Sequence, residues 1–139
     1  MAFDIFTQDF SKAAEVGYSF NLKLPTGADS GATLTVLGEQ SPTIKNYSKR
    51  KFQEYQQRQQ IAKRKGREDD ISLDEAEEMA VDSALVRLVG WNSIQEEGKE
   101  VKFSKDKARE ILEKHSWIRE QIMQESGDVL NFTPKESKA

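Results

Sequence analysis

Hydrophobic and polar positions alternate from Tyr18 to Leu24: Tyr18, Phe20, Leu22 and Leu24 are apolar, with polar residues between them. That is the period of a half-buried strand. Pro25 to Gly31 holds two glycines and an aspartate and predicts a turn. Ala32 to Leu37 is β-branched, ends at Gly38, and predicts a second strand. Two adjacent strands with a short connection predict an antiparallel hairpin. A lone hairpin is marginal in water, so this one must pack on helices or on another chain.

From Ser41 the pattern turns helical. Ser41 is a good N-cap and Pro42 suits the first helical position. The helix should run to about Lys65 and stop at Gly66. Ile44, Tyr47, Phe52, Tyr55, Ile61 and Ala62 make only a thin apolar stripe on it. Such a helix faces solvent or a partner along much of its length. Ser72 and Glu75 have the spacing of a capping box. The helix they open carries Ala76, Met79, Ala80, Ser83, Ala84 and Leu88, and is expected from Leu73 to Val89 as the centre of the core. Val89 to Asn92 ends it. Ser93 to Phe103 reads as a loop or an irregular hairpin. Ser104 caps a further helix with Ala108, Ile111 and Leu112 on one face; Ser116 restarts it, and Gly127 stops it.

The first residues differ in kind. Phe3, Ile5, Phe6 and Phe10 lie close together, followed by Ala13 and Ala14, with little support for a long helix. The segment reads as an amphipathic turn or a loose arm, buried only in an oligomer or a complex. The whole predicts an α+β protein: an arm over 1–17, and one domain over 18–132 with an N-terminal β-hairpin and three to four helices. A polar tail, expected to be disordered, follows over 133–139.

Composition narrows the chemistry. In 139 residues, 36% are hydrophobic and 32% charged, so the core is small. There is no Cys, which excludes disulfides, thiolate metal sites and cysteine nucleophiles, and a single His, His115, argues against structural zinc. His115 reads as a helix-end residue beside Trp117 rather than a base. Trp91 and Trp117 read as core or interface anchors. No apolar run approaches a membrane span, and the acidic N-terminus predicts no signal peptide. No nucleophile motif, phosphate loop or carboxylate pair stands out, so no enzyme, cofactor or metal is expected.

The net charge of −3 hides a sharp division. Nine basic residues lie between Lys45 and Arg67 against one acid, Glu54; eight acids and no base lie between Glu68 and Asp82. Three readings of the basic helix stay open: a solvated helix offset by the acids downstream, a contact with an acidic protein, or nucleic acid stacked on Tyr47, Phe52 and Tyr55.

Several short motifs resemble phage tail assembly chaperones in their order. Leu34 to Ser41, preceded by Pro25-Thr26-Gly27, is similar to the strand, glycine and serine before the long helix of those proteins. Leu88-Val89-Gly90-Trp91-Asn92, then Gly98, then Phe103-Ser104 is similar to a central segment of theirs. Ala108, Ile111 and Leu112, then Trp117-Ile118-Arg119 and Gln121-Ile122, resemble their final helices, and Asn131-Phe132 a common ending. The resemblance implies a non-enzymatic protein of the infected bacterial cytoplasm that binds the helical tape measure protein. It would keep that protein soluble until tail-tube subunits assemble around it, and be absent from the mature virion. The tail tube protein is a further implied partner.

The residues themselves nominate Phe3, Phe6, Phe10, Tyr47, Phe52 and Tyr55 as partner contacts, with self-association through the arm. The alternatives are a small virion or head–tail connector protein, and a nucleic-acid-binding protein using residues 45–67.

Overall fold

The computed structural model describes residues 2–5 and 9–133. Helix α1 (Ser11–Val16) leads into strands β1 (Tyr18–Lys23) and β2 (Asp29–Val36), then helices α2 (Pro42–Arg64) and α3 (Leu73–Arg87). Strand β3 (Leu88–Asn92) follows directly, then a small hairpin of β4 (Gln95–Glu96) and β5 (Lys99–Glu100). Helices α4 (Lys105–Lys114) and α5 (Ser116–Gly127) and a 3-10 turn (Val129–Phe132) complete the α+β fold.

The expected hairpin is present and is extended. β1 and β2 pair antiparallel with Phe20 opposite Leu34, and β3 pairs with β2 with Leu34 opposite Trp91. β2 is therefore the central strand of three. One face of this sheet carries Phe20, Leu22, Ala32, Leu34, Val36 and Trp91 into the core, against Val81 and Ala84 of α3, Ala108 and Leu112 of α4, and Ile118 and Ile122 of α5. The opposite face is polar, with Ser19 and Thr35 hydroxyls 2.7 Å apart across the strands. An antiparallel sheet with helices on one side and solvent on the other requires this alternation.

The helix expected from Leu73 to Val89 is corrected in two respects. It ends at Arg87, and Leu88 to Asn92 form the third strand. Its buried face is Val81 and Ala84, followed by Leu88 in the strand, whereas Met79 is 50% exposed and Ala80 is exposed. Apolar residues run nearly all round the second half of this helix, so periodicity marks no single face. Val81, Leu85 and Leu88 present more apolar area than Ala76 and Ala80, and that area decides which side goes in.

Beyond β3, the 93–103 segment contains a short hairpin turned at Glu97 and Gly98, both with positive φ. Trp91 pins it: the indole Nε1 donates to the Val101 carbonyl at 2.8 Å, and Phe103 packs edge-on at 4.9 Å.

Residues 1–17, expected as an arm, contain helix α1, and its Ala14 lies in the core. Gly38 donates to the Ala14 carbonyl at 3.0 Å, and a Cβ added at Gly38 would meet the Phe132 ring at 2.8 Å and the Ala14 Cβ at 2.9 Å. Three segments distant in sequence meet there because glycine leaves room. From residue 134 on, the expected tail lies outside the described residues.

Candidate partner-binding site

Helix α2 begins as its sequence requires. The Ser41 hydroxyl accepts from the Ile44 amide, and Pro42 occupies the first turn. The cap has a second layer supplied by α1. The Glu15 carboxylate accepts from the Ser41 hydroxyl at 2.5 Å and from the Thr43 amide and hydroxyl at 3.1 and 2.8 Å. The Ser41 hydroxyl, then the Thr43 groups, hold its carboxyl below the usual range. A carboxylate at a helix N-terminus also meets the positive end of the dipole.

Along its length α2 buries only Ile44 and Ala62. It stands beside α3 and leaves an open groove of about 410 Å³ between them. Tyr47, Lys51, Tyr55 and Arg58 line it from α2, Met79 and Ser83 from α3, and Ile71 from the connection. A second open groove of about 650 Å³ runs between α3 and α5, lined by Ala76, Met79, Ala80, Ser83 and Met123, with Arg119 and Glu120 at its polar side. Met79 and Ser83 belong to both grooves. Of the α3 face expected to be core, Ala84 and Leu88 are buried, whereas Ala76, Met79 and Ala80 form an exposed ridge, with Tyr55 and Ile71 in the groove on one side and Met123 in the groove on the other.

Two buried arginines brace this ridge. Arg87 pairs with Glu39 at 2.9 Å and donates to the Ser83 carbonyl at 2.6 Å. Arg119 donates to the Leu112 carbonyl at 2.7 Å, near the end of α4, and pairs with Glu77 at 2.8 Å. Charge-assisted bonds of this kind fix helices in register more firmly than neutral ones.

The predicted contact residues separate. Tyr47 and Tyr55 face each other's neighbourhood in the first groove. Phe52 is 60% exposed and lines neither groove. Phe3 is 74% exposed, Phe10 is half-buried at the start of α1, and Phe6 lies outside the described residues. Sequence reasoning missed Met79, Ile71 and Met123 as surface residues. The available signal was the second small-residue stripe Ala76, Met79, Ala80 and Ser83, distinct from Val81, Ala84 and Leu88.

The acids after Gly66 offset the basic helix at one point only. Among the described residues, Lys51 pairs with Glu54, and Arg58 pairs with Asp69 and Glu75; no other cation from Lys45 to Arg67 forms an ion pair. The Glu75 amide donates to the Ser72 hydroxyl at 3.1 Å, as a capping box requires, but the Glu75 carboxylate takes Arg58 instead of closing the box on the Ser72 amide. Among the described residues no His, Asp and Glu side chains cluster to hold a metal ion, and no helix is long and apolar enough to cross a membrane.

No curated protein and no solved structure matches the chain. A family of YdaY prophage proteins matches residues 45–139, more than half of the chain. The matched region begins in the first turn of α2 and takes in both grooves, leaving out α1 and the β1–β2 hairpin. On that match the chain belongs to the YdaY prophage protein family, and it is of phage origin.

Proposed function

We propose that the protein is a tail assembly chaperone that acts by stoichiometric binding, without catalysis, on the tape measure protein of its own phage. The observation that carries this reading is the apolar ridge of Met79 between two open grooves. A tape measure protein exposes long apolar helical stripes before the tube covers them, and such stripes aggregate in water. An amphipathic helix recognises its partner through residues spaced three and four apart laid into a groove. Methionine suits a surface that must accept many related stripes, because its unbranched, polarizable side chain repacks easily. Met79 and Met123 supply that adaptability here, and Tyr47 and Tyr55 supply apolar faces with polar edges. The charged remainder of the surface keeps the complex in solution.

In this reading the protein works in the cytoplasm of the infected host and leaves before the virion matures. Co-expression with the tape measure protein of the same prophage tests it. Soluble complex should be recovered with the wild type and depleted with Met79→Asp, while circular dichroism stays unchanged. A tape measure protein equally soluble without this chain, or this chain retained in purified virions, overturns it.

A further inference from the structure

The outer face of α2 is basic; within the chain Arg50 lies over the Tyr47 ring at 5.7 Å and Lys45 acts electrostatically on Asp9. Ile44 and Ala62 point inward. At about 100° per residue, Lys49, Arg50 and Arg64 then lie on the outer side, with Lys45 and Lys63 on its flank. None of these five forms an ion pair among the described residues. The acid-free face extends about 29 Å from Lys45 to Arg64. Gln53, Gln56, Gln57 and Gln60 fill the space between the cations, and exposed Phe52 and Ile61 edge it.

The same chain carries the opposite patch. In the connection after Gly66 and the first turns of α3, Glu68, Asp70, Asp74 and Glu78 form no ion pair among the described residues. Two exposed apolar side chains sit among these acids, Ile71 and Leu73, the latter 86% exposed. Within one chain the patches meet only where the helix ends: Lys63 and Arg67 line a pocket with Glu68 and Asp69, and Arg58 pairs with Asp69 and Glu75. Lys45, Lys49 and Arg50 lie about 20 Å or more farther back along α2 than Lys63.

We propose that the basic face of α2 docks on the acidic 68–78 segment of a second copy of this chain, in a two-fold dimer that makes the contact twice. Twofold symmetry requires that each subunit present both halves of the contact, and this chain does. Phe52, exposed one turn from Lys49 on one edge of the basic face, would cover the exposed Leu73, giving the contact the apolar centre that charge alone does not provide. The aromatic residues favour this occupant over nucleic acid: Tyr47 and Tyr55 line the groove, not the basic face, so the face offers no row of stacking platforms.

The test is the mass of the full chain in solution by light scattering. The wild type should be dimeric at low salt at a concentration on the order of 100 μM, and should dissociate by about 0.5 M salt, where screening is strong. A variant with Lys49→Glu, Arg50→Glu and Lys63→Glu should be monomeric, and so should one with Glu68→Lys, Asp70→Lys and Asp74→Lys. Mixed in equal amounts they should form a heterodimer, because each reversed patch then faces its complement. None of the six positions lines the α2–α3 groove or the Met79 ridge, so tape measure binding is a separate readout. Circular dichroism of both variants confirms the fold. A monomeric wild type at low salt, dimers that survive both reversals, or a mixture that stays monomeric overturns the proposal. So does nucleic acid retained by the wild type as a monomer and lost on reversing α2.

Discussion

Arg58 reaches Asp69 across the turn that separates α2 from α3, with Nη2 2.7 Å from Oδ1, and its other nitrogen holds Glu75 at 3.0 Å. One side chain thereby joins the helix that opens the groove to the helix that floors it. Its hydrogen bonds to Asp69, then to Glu75, raise the guanidinium's already high pKa. Exposed pairs contribute little to global stability. Arg58→Ala should therefore leave chemical denaturation nearly unchanged. The larger effect should be local: hydrogen exchange in the second half of α2 should accelerate, because little else holds it. Unchanged exchange there would mean that Ala62 and the turn are sufficient.

Glu15 joins α1 to α2, and its contribution should depend on pH. Its folded-state pKa is depressed. The carboxylate therefore stabilises the fold at pH values above its unfolded pKa, and that stabilisation is lost as pH falls through the folded pKa. Glu15→Gln should be less stable than the wild type at pH 7, and the difference should shrink toward zero as the solution is acidified below the ordinary carboxylate range. Denaturation curves of both proteins across that range check it; a difference that persists in acid would assign the loss to packing.

The two sides of α3 should respond oppositely to truncation. Leu88, just after the helix, is buried with Val81 and Ala84. Leu88→Ala should cost about 2–5 kcal/mol. Met79→Ala, on the exposed ridge, should cost less than about 0.5 kcal/mol. Equal losses would place the ridge in the core after all.

Gly38 should tolerate no side chain. Gly38→Ala drives a methyl into the Phe132 ring and Ala14 and should cost about 1–3 kcal/mol. Gly127→Ala is the control, since an added Cβ there meets nothing within 4 Å. Thermal unfolding of the two variants separates a steric effect from one on helix propensity.

Local chemistry made the element boundaries legible in the sequence. Ser41-Pro42, Ser72 and Ser104 each cap the helix they were expected to cap, and Gly66 turns the chain where α2 stops. The alternation of Tyr18, Phe20 and Leu22 placed β1. Long-range facts were not legible. β3 lacks polar alternation, having Leu88, Val89 and Gly90 in a row, and becomes a strand because β2 offers an open edge. The core side of α3 depended on which of two apolar stripes met the sheet. For the candidate site, Tyr47 and Tyr55 were legible as residues outside a complete core, because a thin stripe on a charged helix signals an incomplete one, and both line the α2–α3 groove. Met79 was misplaced because a methionine in an apolar run has the same local signature on a ridge as in a core. Glu15 was invisible as a cap, since its partners are 26 and 28 residues away.

The binding of tape measure segments to the Met79 ridge is the central claim. Its most direct test is a titration of the full-length protein with an amphipathic helical segment of the tape measure protein from the same prophage, followed by calorimetry. The wild type should bind saturably. Met79→Asp should weaken binding at least about tenfold, a loss of roughly 1.4 kcal/mol, because an unpaired carboxylate would be buried under the partner helix. Lys49→Glu, off the ridge, should leave the affinity within about threefold, since peripheral charge alters association rate more than final affinity. Equal affinity of the wild type and Met79→Asp, with both folded, would contradict the account.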